Sequence, residues 1–174
     1  MEKQSFRKIE AKDITLIALL TTIIFVQEQL LTFIPNVQLT VFLLVLYSKK
    51  LGFTRTSIIC LIHVVLDNLV MGSFNFVYMP FMFLGWIIIP ITLNTIFKKV
   101  ESEMVLALLG ALYSFVYSWI YIIPNIMILN VDFTAYLIAD IIWEILLAVS
   151  SFLSILWLYK PSSKVLDLML TKNK

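Results

Sequence analysis

The sequence predicts an all-α integral membrane protein: six transmembrane helices, both termini cytoplasmic, in a single transmembrane domain over residues 1–174. Three observations predict it. The chain is 61% hydrophobic and 14% charged with a mean hydropathy of +0.98, whereas soluble domains are about half apolar and a quarter charged. Six apolar segments can be drawn, and a chain of 174 residues then has no room for a sizeable soluble domain. The 13 Lys and Arg are confined to the N-terminus (Lys3, Arg7, Lys8, Lys12), the second loop (Lys49, Lys50, Arg55), the fourth loop (Lys98, Lys99) and the C-terminus (Lys160, Lys164, Lys172, Lys174).

Residues 1–13 mix acids with bases, and the apolar run after them lacks a small-residue cleavage site, so a cleaved signal peptide is not expected. The first span is drawn at 14–34, and Pro35 and Asn36 mark the loop after it. The second, 37–48, is short, because about 12 residues rising about 1.5 Å each fall well below a hydrocarbon core of about 30 Å. Parity keeps it as a crossing: with six crossings every base lies on the cytoplasmic side, and with five the set is split between both faces. The segment must then tilt, cross a thinned region, or be extended by snorkelling Lys49 and Lys50 and by the preceding loop. Irregular backbone at membrane depth is tolerated only where protein or a wet cavity surrounds it. The remaining spans are drawn at 53–71, 75–97, 104–129 and 134–159, with a turn at Gly72-Ser73. Gly85, Pro90, Gly110 and Pro124 are expected kinks or close-packing points.

Several function classes are excluded. A net charge of +2 gives no argument for nucleic acid binding. Cys60 is the only cysteine and sits in an apolar run, so no intramolecular disulfide or thiol pair forms. None of the four glycines precedes Lys-Ser/Thr, so no phosphate-binding glycine loop exists, and energy for any transport must come from partners or an ion gradient. His63 is the only histidine, HExxH is absent, and no metal site or cofactor is expected. An intramembrane enzyme using Asp67 and Asp140 as a carboxylate pair has no supporting spacing motif.

Given the topology, polar residues collect on the outward side. Glu28 lies toward the outer end of the first span, Asp67 and Asn68 toward that of the third, and Asn75 and Tyr78 begin the fourth. Asn125 closes the fifth, Asp140 and Glu144 fall in the outer half of the sixth, and Asn36, Gln38 and Asp132 belong to outer loops or their margins. A carboxylate in a span costs about 3 kcal/mol or more on insertion scales, so these groups should face one another or a wet cavity. Tyr113, Tyr117 and Tyr121 recur every fourth residue on the fifth span, and on the sixth Tyr136, Asp140 and Trp143 or Glu144 recur at helical spacing. Trp119, Tyr121 and Phe133 fit an interfacial aromatic belt, whereas Trp86 and Tyr113 lie too deep for one and are better pocket candidates. His63 is either a packing residue bonded to a carbonyl or to Asp67, or a ligand contact. The candidate ligand-binding set is therefore Asn36, Gln38, His63, Asp67, Asn68, Asn75, Tyr78, Trp86, Tyr113, Tyr117, Tyr136, Asp140 and Glu144. With carboxylates and amides but no Lys or Arg, this half suits a neutral or cationic molecule with flat or apolar surface.

Two local patterns carry a family resemblance: Ile34-Pro35-Asn36-Val37-Gln38-Leu39-Thr40 with Lys50-Leu51-Gly52 after the short span, and Asp67-Asn68 through Gly72-Ser73-Phe74-Asn75 to Gly85-Trp86. With six spans and internal termini, the chain resembles the substrate-binding S components of energy-coupling factor (ECF) vitamin transporters, in particular the group with cobalamin-type members. The resemblance implies a multi-pass protein of the bacterial cytoplasmic membrane that captures a vitamin-type small molecule from outside, a cobalamin-like corrinoid first and a thiamin-related pyrimidine second. It then topples against a transmembrane T subunit driven by two ATPase subunits. A small-xxx-small motif packs on the T subunit in that family; the matching positions here are Ala18 and Thr22, with Thr in place of the usual Ala. The alternative is a structural membrane protein similar to the rod-shape protein MreD, which needs no outward pocket.

Overall fold

The computed structural model describes residues 10–70 and 76–172, and among them every regular element is a helix. In chain order these are α1 (Ala11–Leu31), α2 (Thr40–Leu51), α3 (Phe53–Val70), α4 (Tyr78–Asn94), α5 (Glu103–Leu129) and α6 (Phe133–Lys172). Four of them, α1, α3, α5 and α6, are long and apolar enough to cross a membrane. The chain therefore has the architecture of a helical membrane protein.

The short helix is the centre of the bundle. Every residue from Thr40 to Ser48 is buried, and α2 packs against all five other helices. A helix that is apolar on all sides has no face for water and is stable only when enclosed. Its 12 residues are thus an internal post around which the longer helices stand.

Side-chain contacts show that the helices alternate in direction. At one end Asp13 of α1 meets Arg55 of α3 at 2.9 Å, Lys49 of α2 donates to the carbonyls of Phe97 and Lys98 beyond α4, and Lys160 of α6 pairs with Glu103 of α5. Arg55, Lys49 and Lys160 are gathered there. At the opposite end stand the C-terminus of α1, the N-terminus of α2 and the C-terminus of α3, with the start of α4 and the two sides of the α5–α6 turn linked through Tyr78, Asn125 and Tyr136.

Proline and glycine do specific work in α4 and α5. Pro90 has no N–H, so the Trp86 carbonyl loses its helical donor, and the Cys60 thiol of α3 reaches that oxygen at 3.9 Å. Gly110 lets α5 approach α6 at Ile155 and the Ser151 carbonyl, and beside it Ser114 and Ser151 share a hydrogen bond of 2.8 Å.

One boundary differs substantially from expectation. The last helix continues through Pro161 to Lys172, well past the predicted end at 159. The polar Lys160-Pro161-Ser162-Ser163 stretch interrupts the apolar run, but Leu166 is buried and Leu170 packs on the core, while Asp167 pairs with Lys50 at 2.7 Å. Tertiary anchoring outweighs the local break signal.

Candidate functional site

The loop between α1 and α2 forms the site. It cannot be regular, because Pro35 and the left-handed Asn36 (φ 57) break any helix, and Asn tolerates that conformation better than most residues. Its far end is fixed from α1. The Gln27 amide accepts from Leu39 N at 2.8 Å and donates to Thr40 Oγ1 at 2.8 Å, giving α2 the cap that Leu39 itself cannot supply. Thr40 has one hydroxyl proton and two acceptors within reach, Glu28 Oε1 at 2.5 Å and Gln38 Oε1 at 3.1 Å, so the shorter contact to the carboxylate takes it. Ser150 of α6 donates to the Gln38 carbonyl at 3.1 Å. This network holds the loop against three helices.

Beneath the loop lies a cavity of about 310 Å³, lined by Glu28, Gln29, Leu31, Thr32, Ile34, Pro35, Asn36, Val37, Gln38, His63, Asp67, Met82, Trp86 and Tyr117. The irregular backbone therefore borders a cavity, the condition under which such backbone survives inside an apolar surrounding. Two carboxylates, Glu28 and Asp67, face the space, and among the described residues no Lys or Arg lines it. His63 Nε2 lies 3.5 Å from Glu28 Oε1. His63 and Trp86, each only 1% exposed, retain one nitrogen apiece without a hydrogen-bond partner. Among the described residues Asp67 is held by no hydrogen bond or ion pair.

An aromatic ladder supports the wall. Trp86 stacks on Tyr117 with centroids 3.9 Å apart, Tyr117 on Tyr121 at 5.6 Å, and Tyr121 on Tyr78 at 5.2 Å. Gly85 makes this possible, since a Cβ there would fall on the Tyr117 ring.

Of the residues selected from sequence, the fold brings Asn36, Gln38, His63, Asp67, Trp86 and Tyr117 to the cavity. Asn68 stands behind it, donating to the Val64 carbonyl and to Met82 Sδ. Tyr78 and Tyr136 instead join a separate chain in which Tyr78 donates to Asn125 at 2.7 Å and Asn125 donates to Tyr136 at 2.6 Å. Tyr113 turns away toward Thr92, with 2.7 Å between the hydroxyls. Asp140 and Glu144 do not reach the cavity either. Glu144 is wholly buried against α5, where Trp119 approaches without closing a hydrogen bond of ordinary geometry. Asn75 lies outside the described residues. Ala18 and Thr22 are exposed one turn apart on α1, where Thr22 donates to the Ala18 carbonyl.

The site also includes residues absent from the sequence-derived set, chiefly Glu28, Gln27 and Thr40. The polar run Gln27-Glu28-Gln29 ending an otherwise apolar helix was the available signal. No cluster of three or more His, Cys, Asp or Glu able to hold a metal occurs among the described residues. Chemically, the cavity can accept hydrogen bonds and balance positive charge, and no Lys or Arg among its described lining residues would balance a ligand anion.

No protein-family model matches the chain, and no curated protein or solved structure matches it at a significant level.

Proposed function

We propose that this protein is the substrate-binding subunit of a membrane importer of the ECF S-component type, capturing a neutral or cationic vitamin-like micronutrient. The observation that carries the proposal is the cavity of about 310 Å³ lined by two carboxylates, several amides and two stacked aromatics, with no Lys or Arg among its described lining residues. Ligand pockets for small molecules begin at about this size and combine apolar walls with a few polar groups.

In this reading α2 and α4 complete six crossings, α2 as a short enclosed one, and the Lys/Arg-bearing end with both termini faces the cytoplasm. The cavity then opens outward. Its volume favours a single-ring compound, such as a thiamin-related pyrimidine, over a corrinoid, whose macrocycle is several times larger. Exposed Ala18 and Thr22 leave one face of α1 able to approach a partner helix closely, consistent with a T subunit and two ATPase subunits supplying the energy.

Titration of the purified, folded protein with a panel of water-soluble vitamins tests the proposal. Saturable binding of at least one is expected and should weaken when Asp67 is replaced by Asn. Absence of binding across the panel, in a sample that melts cooperatively, would overturn it.

A further inference from the structure

We infer that the cavity selects a flat monocation, recognised by Glu28 and Asp67 together, over neutral and anionic molecules of the same shape; this rests on the cavity being a ligand site. Among the described residues the lining carries two carboxylates and no Lys or Arg, with His63 as its one imidazole. The two acids differ in how they are held. Glu28 is oriented by the Thr40 hydroxyl at 2.5 Å, which leaves its second oxygen available, whereas Asp67 has no hydrogen-bond or ion-pair partner among the described residues.

His63 stands beside the acidic pair. Its Nε2 is 3.5 Å from Glu28, a long contact, and its Nδ1 is buried without a partner. The Trp86 N–H is a buried donor, likewise unmatched. Both of these nitrogens are sealed within the wall, which leaves the acidic pair to recognise a ligand's charge. An amidinium or protonated amino-heterocycle combines planarity, delocalised charge and N–H donors, and answers the two carboxylates at once.

Benzamidine, benzamide and benzoate share one ring and nearly one volume but carry charges of plus one, zero and minus one, and each is titrated into the full-length protein in nanodiscs. Benzamidine should bind about tenfold or more tightly than benzamide, the expectation for charge-assisted over neutral hydrogen bonds, and benzoate should not bind. Glu28→Gln and Asp67→Asn should each bring the ratio of benzamidine to benzamide affinity down to about one. Glu28→Gln keeps an acceptor for Thr40 and so guards against misfolding. If benzamide or benzoate binds as tightly as benzamidine, cation selection is wrong although the cavity remains a binding site. If neither the three probes nor any vitamin binds, both readings fall.

Discussion

The indole of Trp86 on α4 and the ring of Tyr117 on α5 lie 3.9 Å apart between centroids and 17° from parallel, directly against the cavity. The closeness depends on Gly85, which precedes Trp86 and leaves the Tyr117 ring lying on bare backbone.

Gly85→Ala therefore sets two effects against each other. Helix propensity would favour Ala by about 0.5–1 kcal/mol, but overpacking against the ring costs about 1–3 kcal/mol. Net destabilisation is expected in thermal unfolding, with weakened benzamidine binding. Adding Tyr117→Leu to Gly85→Ala should recover part of the stability, an outcome that a purely helical effect would not produce.

The Thr40 hydroxyl joins α1 to α2 by accepting from Gln27 and donating to Glu28. Thr40→Val preserves shape but strands both partners in a buried place, so stability should fall by about 1–3 kcal/mol. Thr40→Ser keeps the hydroxyl and should cost less. Denaturant melts of the two variants compare them directly; equal losses would remove the hydrogen bonds from the explanation.

Glu144 has no exposure and neither oxygen has a hydrogen-bond partner. A buried polar group without partners is a cost that an apolar side chain of similar size avoids. Glu144→Leu should leave stability unchanged or raise it by about 1–3 kcal/mol, and should not alter ligand affinity, because the cavity does not include this residue. A clear drop in melting temperature would mean that the carboxyl has a structural partner after all.

The final turns of α6 are held by Leu166, which is buried, and by the Lys50–Asp167 pair, whose Asp side chain is 54% exposed. An exposed ion pair contributes under about 1 kcal/mol, whereas a buried Leu truncated to Ala costs about 2–5 kcal/mol. Leu166→Ala should thus destabilise the protein several times more than Asp167→Ala. Limited proteolysis of the C-terminal segment should follow the same order.

Much of the architecture is determined by local sequence. Apolar runs separated by charged or turn-forming residues define where helices stand, because in a chain this hydrophobic each helix must satisfy its own backbone. The break at Pro35-Asn36 and the shortness of the second segment were legible for the same reason, and so was the confinement of bases to alternate loops. The extension of α6 past Pro161 was not, since it depends on burial of Leu166 against distant parts of the chain.

Only the tertiary structure decided which polar residues share a space. The spacing of Tyr113, Tyr117 and Tyr121 puts all three near one helical face, yet Tyr113 turns to Thr92 while Tyr117 meets Trp86. Asp67 and Asp140 are equivalent by depth in the sequence, but packing sends Asp67 to the cavity and leaves Asp140 outside it. Hydrophobicity and charge are properties of each residue and its chain neighbours, so they can be read along one dimension. The meeting of Glu28, His63 and Asp67 depends on the rotation of α1 and α3 about their axes, set by how every side chain of the bundle packs at once.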